Sequence, residues 1–313
     1  MSEQALHPTL QNILSQPGDP DAVPVEEQDP EDARAEFESD IAAVDKSAPA
    51  MASVENIEVP GAVGPLSARV YRPEGLATPS PLMIYFHGGG NIRGSLETHD
   101  STARVLAASA PCVVVSCRYR LAPEAPYPAA IDDAMSASRS IAGDPGRYGG
   151  DPARIIIAGD SAGGNLAAAV ALRARDEGAV AFAAQLLIYP VIDHVANTAS
   201  RREFSKGYML DSMPFYTDCY IPDPGHRTEP YASPIHARSL AGLPPAVVLT
   251  AGFDPLRDEG QAYAHALEKA GIPVRLLHYP EMIHGFTLLR GLLEEADQAL
   301  EASARETLKM LAG

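Results

Sequence analysis

The chain has 313 residues, 46% of them apolar and 21% charged, a globular balance that excludes a largely disordered or fibrous chain. Its formal net charge is −17, from 24 basic and 41 acidic residues, which argues against nucleic acid or an anionic membrane as partner, since both need a basic face. Apolar runs fall short of the roughly 18 residues of a membrane-spanning helix, and Met1-Ser2-Glu3-Gln4 opens no basic-then-apolar leader, so no secretory signal is expected.

Residues 1–16 and 30–45 have helix-compatible composition, split by a Pro- and Asp-rich stretch from Pro17 to Pro30. The first 50 residues hold 12 acids against Arg34 and Lys46 (2 − 12 = −10), which reads as a solvated, partly helical surface segment; steering of cationic substrates is the alternative. Short strands are predicted at 53–59 and 66–72. From Pro81 short apolar runs alternate with helical segments. The strand candidates are Leu82–Phe86, Val113–Cys117, Ile155–Gly159, Gln185–Tyr189, Ala246–Ala251 and Val274–His278. The helices fall near 96–109, 126–142, 162–176, 255–270 and 291–311. Several runs are continuously apolar, as parallel strands buried on both faces are. The alternation predicts an open α/β sheet with helices on both faces. Residues 193–240 break the rhythm with five prolines and with Phe204, Tyr208, Phe215, Tyr216 and Tyr220, and read as part of a lid over the sheet. Cys112, Cys117 and Cys219 form no C-x-x-C pair. Cys112 and Cys117 fall on opposite strand faces, so free thiols in a reducing, cytoplasmic setting are expected.

The strongest chemical signal is Gly159-Asp160-Ser161-Ala162-Gly163. This G-x-S-x-G runs from the apolar strand Ile155–Ala158 into an Ala-rich helix, the context of a sharp turn that exposes a nucleophilic serine. His87-Gly88-Gly89-Gly90 directly follows another apolar strand, and successive glycines let backbone N–H groups face an oxyanion. A phosphate loop is disfavoured because no Gly-Lys-Ser/Thr follows. His87 itself is expected to bond to its own loop.

Serine needs a base. His284, in a Gly-bounded loop after the strand Val274–His278, is the candidate; His278 reads as structural. Asp254, after Val247–Gly252, is the candidate orienting acid, with Asp193 and Asp258 as rivals. Asp160 reads as structural. The order Ser161…Asp254…His284 is that of the α/β-hydrolases. No H-E-x-x-H and no cysteine cluster suggests a metal or other cofactor.

These segments, with Tyr119-Arg120-Leu121-Ala122-Pro123-Glu124, Asp254-Pro255-Leu256-Arg257-Asp258 and His284-Gly285-Phe286, resemble the hormone-sensitive-lipase-like esterases (bacterial family IV), in the GDSAG branch, over roughly residues 60–310. The resemblance implies a mostly parallel eight-stranded α/β-hydrolase sheet flanked by helices. The core would span 51–192 and 241–313, under a helical cap drawn from 1–50 and 193–240. It also implies oxyanion donors at Gly88, Gly89 and Ala162, and hydrolysis of short- to medium-chain acyl esters, aryl esters included, by an enzyme that can form homodimers. Two departures are Asn91, where an aromatic is usual, and Arg118, where an aspartate is usual. Asn91, Phe204, Leu210, Phe215, Tyr216, Ile283 and Phe286 are the expected substrate-pocket residues; packing of the cap onto the core is the alternative for all of them but Asn91. An amidase or a deacetylase of a small metabolite uses the same triad. A ligand-binding relative without chemistry is disfavoured by the presence of His284.

Overall fold

The structure, a computed structural model, describes residues 5–16 and 22–311. The first four residues of the expected 1–16 helix, and residues 17–21 of the Pro- and Asp-rich stretch, lie outside the described residues. In chain order the elements are α1 (Pro8–Ser15), α2 (Pro30–Val44), β1 (Ser53–Pro60), β2 (Pro65–Arg72), β3 (Ser80–Phe86), α3 (Asp100–Ser109), β4 (Val113–Cys117), α4 (Ala129–Gly143), β5 (Gly150–Asp160), α5 (Ala162–Glu177), β6 (Ala184–Ile188), α6 (Ala199–Glu203), α7 (Met213–Tyr220), β7 (Ala246–Phe253), α8 (Arg257–Lys269), β8 (Val274–Ile283) and α9 (Glu294–Met310).

Local chemistry sets several boundaries. Asp29 caps α2 by accepting from the Glu31 N–H at 2.9 Å, and Pro30 opens the helix where no N–H is needed. Gly178, in the left-handed region, closes α5. The strands join in one eight-stranded sheet of order β1-β2-β4-β3-β5-β6-β7-β8. β1–β2 and β2–β4 pair antiparallel and every other pair is parallel. β3, β4 and β6 are buried at every residue because helices cover both sheet faces.

The core is therefore two layers. One face packs on α4, α5 and α8 through residues such as Ile131, Leu166 and Tyr263. The other packs on α3, α9 and Leu10 of α1 through Leu106, Leu300 and Ala304. Cys112 enters the second layer and Cys117 the first, on opposite faces as strand alternation requires. Burial pushes both thiols up to about 12, and all three cysteines are free. β8 is longer than its apolar stretch predicts and runs on through Pro280. It stands beside β7 at the end of the sheet order, and an edge strand tolerates proline. Residues 193–240 contain α6, α7 and no strand. Among the described residues no helix is long and apolar enough to cross a membrane.

Candidate active site

Ser161 sits between β5 and α5 at φ 52 and ψ −116, a strained conformation for a non-glycine residue. The turn is possible because its flanks carry no side chains. A Cβ on Gly159 would collide with the carbonyl of Gly163, and one on Gly163 with the carbonyl of Phe86. The resulting geometry presents Oγ to His284, whose Nε2 lies 2.9 Å away. On the far side of the ring, Nδ1 lies 2.9 Å from Oδ2 of Asp254, and the other Asp254 oxygen accepts the Leu256 N–H at 2.7 Å. Asp254 is fully buried, and Tyr189 packs on the imidazole at 4.8 Å. With Nδ1–H donated to the carboxylate, Nε2 is left to accept a proton from Ser161.

The rival residues are engaged elsewhere. Asp193 meets His236 at 3.0 Å, Asp258 binds the Ser200 N–H and Arg257, and His278 meets Thr250 at 3.0 Å.

The glycine loop corrects one expected donor. The Gly88 N–H is already taken by Oδ1 of Asp160 at 2.8 Å, so it is not free to meet an oxyanion. Gly89 and Gly90, at φ 115 and 67, line the cavity in front of Ser161 instead. Ala162 opens α5, where an N–H has no partner within the helix. Gly90 was missed because three consecutive glycines do not reveal which amide is already occupied.

Asp160 is structural, as its place in the sequence suggested. It also accepts from Tyr85 Oη at 2.6 Å and lies 3.3 Å from His99 Nε2. Burial acts to raise its carboxyl, but His99 and the Tyr85 bond outweigh that and hold it below the usual carboxylate range. His87 bonds to its own loop, Nδ1 to the Gly88 carbonyl at 2.8 Å, and stacks on Tyr119 at 4.6 Å. Burial, then the neighbouring His99, lowers it to about 3.

The triad opens into a cavity of about 390 Å³. Leu210 and Tyr216 line it, and Asn91 lines an adjoining lobe of about 40 Å³ beside Ser161 and His194. The other expected pocket residues lie elsewhere. Phe204 packs on Tyr208 and Phe253 under the Arg257 guanidinium. Phe215 is held against the core, and Ile283 and Phe286 are fully buried in the α3–α9 layer, because the chain after β8 turns inward there. In their place α2 supplies Phe37, Ile41 and Val44, and the glycine loop supplies Arg93. The i, i+4, i+7 spacing of Phe37, Ile41 and Val44 on an otherwise acidic helix was the available signal. Among the described residues no group of three His, Cys, Asp or Glu is gathered to hold a metal.

Residues 83–288 match a protein family described by its alpha/beta hydrolase fold. The esterase LipI of Mycobacterium tuberculosis is 40% identical over 79% of this chain and 78% of its own. An ethyl acetate hydrolase of Pseudomonas putida is 34% identical over 89% of both chains. The solved esterase of Pyrobaculum calidifontis superposes with a TM-score of 0.91 at 41% identity, covering 98% of this chain and 100% of that one.

Proposed function

The chain belongs to the α/β-hydrolase family, among its hormone-sensitive-lipase-like esterases, and from that premise we propose that Ser161, His284 and Asp254 hydrolyse small carboxylic esters through an acyl-enzyme. One observation carries the assignment of roles: the continuous chain of two 2.9 Å contacts from Ser161 Oγ through the imidazole to a buried carboxylate.

His284 takes the Oγ proton as Ser161 attacks the ester carbonyl. Asp254 keeps the ring in the required tautomer and stabilises it while charged. The N–H groups of Gly89, Gly90 and Ala162 receive the oxyanion, each donor contributing about 3 kcal/mol to the transition state. Collapse expels the alcohol, which takes the proton from Nε2. Water then repeats the sequence and releases the acid and free Ser161. A cavity of about 390 Å³ suits short- to medium-chain esters. The helical segments of 1–50 and 193–240 act as a cap over it, since α2 and the stretch around Leu210 and Tyr216 form its walls. Three free thiols suit a reducing, cytoplasmic setting. A homodimer is a further part of this reading, which sedimentation tests.

Purified protein is expected to hydrolyse p-nitrophenyl butanoate, and Ser161→Ala to abolish that turnover while remaining folded. Retained turnover in the variant would remove Ser161 from the mechanism.

A further inference from the structure

The wall of the catalytic cavity contains a guanidinium, that of Arg93, with no ion-pair partner within 4.0 Å among the described residues. Arg93 stands on the same loop as Gly89 and Gly90, tied back by its own N–H to the Gly89 carbonyl at 3.0 Å. Its guanidinium lies 4.4 Å over the ring of Phe37 in α2 and 5.5 Å over Tyr216 in α7. Two elements remote in sequence thus set aromatic rings against the guanidinium, whose N–H groups are the part that can bind an anion. None of those N–H groups has a hydrogen-bond partner among the described residues, and Nε is buried without one. Nor does any described carboxylate lie within 4.0 Å, whereas Arg34, Arg69, Arg173, Arg257 and Arg290 are all ion-paired.

Two carboxylates share that wall: Asp160 is engaged by Tyr85, the Gly88 N–H and His99, and Asp40 is exposed and feels the charge of Arg93 without a hydrogen bond or close ion pair to it. A half-buried guanidinium without an acceptor is unfavourable, and a carboxylate satisfies two of its donors at once.

We propose that Arg93 makes the cavity selective for esters that carry a second, free carboxylate remote from the scissile bond, monoesters of dicarboxylic acids foremost. The proposal rests on the esterase reading of the Ser161 site and names its substrate class. The carboxylate sits against the N–H edge of Arg93 while the ester carbonyl reaches Ser161. Phe37 and Tyr216 fix the plane of the fork, and apolar residues such as Ile41 and Leu210 line the methylene chain between the two ends. Asp40 is a counter-charge in the same wall. Its exposure lets solvent and salt screen it, so it weakens the preference without reversing it.

The test compares ethyl hydrogen succinate, glutarate and adipate with ethyl butanoate, pentanoate and hexanoate, at neutral pH, for wild type, Arg93→Gln and Arg93→Lys. The expected readout is the ratio of kcat/KM for the anionic ester to that for the neutral one. Wild type should favour the anion at the best-fitting chain length. Arg93→Gln should lower the ratio about tenfold or more, chiefly through KM, and Arg93→Lys should retain part of it. A ratio unchanged in Arg93→Gln, or a wild type that prefers the neutral esters at every length, overturns the proposal.

Turnover of neutral esters without anionic preference leaves the esterase reading standing and overturns only this one. Binding gives a readout independent of turnover. Ser161→Ala should bind ethyl hydrogen glutarate more tightly than ethyl pentanoate by calorimetry. The order should disappear when Arg93→Gln is added, and equal binding in Ser161→Ala alone also overturns the proposal.

Discussion

Asp160 and Asp254 are both buried carboxylates beside Ser161, and they differ in what they hold. Asp254 touches the imidazole, and Asn at that position would present an amide that cannot keep the same tautomer. Asp254→Asn is expected to reduce kcat by about ten-thousandfold, while Asp193→Asn, which disturbs contacts with His236 and the Val195 N–H away from the triad, leaves kcat within a few-fold. Steady-state rates on one ester check both, and a reversed order would move the acid to Asp193. Asp160 instead ties Tyr85, the Gly88 N–H and His99 into one buried knot beneath the glycine loop. Asp160→Ala strands these partners and should cost about 3 kcal/mol of stability, read by denaturant unfolding. It should also slow turnover, because Gly89 and Gly90 lose the anchor beside them. The residue types of this site were legible in the sequence; their partners were not. Gly88 and Gly90 look alike in a run of glycines, and only the approach of Asp160 from β5 separates them.

The strands of the parallel sheet were legible because burial on both faces leaves uninterrupted apolar runs, as in Val113–Cys117, where the expected and observed limits coincide. β8 was read short because an edge strand alternates polar and apolar residues and carries Pro280. The walls of the cavity were the least legible part. Aromatics of 193–240 serve packing as readily as binding, and Phe204 shows the first use. Arg34 is a main anchor of α2, beside the Ser95 hydroxyl that donates to Glu38 and the Gly291 N–H that donates to the Val44 carbonyl. Arg34 donates to the carbonyls of Ile92 and Ala122 and pairs through two nitrogens with Glu124, so it fastens the helix to the segments beside the glycine loop. Arg34→Ala should therefore loosen the wall formed by Phe37 and Ile41. The expected result is a rise in KM of about tenfold, with a smaller change in kcat. A loss confined to kcat would argue that α2 does not contact substrate.

Acid should weaken the whole molecule before it reaches the ordinary carboxylate range. His87 is held to about 3 when folded, against about 6.5 for a free imidazole, and burial, then Arg201, lowers His194 to about 3 as well. Between those values the unfolded chain binds protons that the folded chain does not, so stability falls as pH drops through that window. The slope is about 1.4 kcal/mol per pH unit for each such group. Asp160 acts in the same direction at lower pH. Its folded value is depressed, so its contribution is present above the ordinary carboxylate value and is lost as pH falls through the folded one. Melting temperature should be lower at pH 5 than at pH 7, and equal values would contradict the burial of His87 in neutral form.

The separation of the triad along the chain bears on how the molecule comes together. Ser161 and His284 are 123 positions apart, and the β6 and β7 strands lie between their strands in the sheet. No local fragment can bring the two side chains within reach; the order from β5 to β8 must be complete first. Helices form early because their contacts are near neighbours, whereas such distant pairings come late. During refolding from denaturant, the helical circular dichroism should therefore recover before ester hydrolysis does. Turnover then serves as a clock for the closing of the last strand, and simultaneous recovery of both signals would mean that the sheet and its helices form in one step.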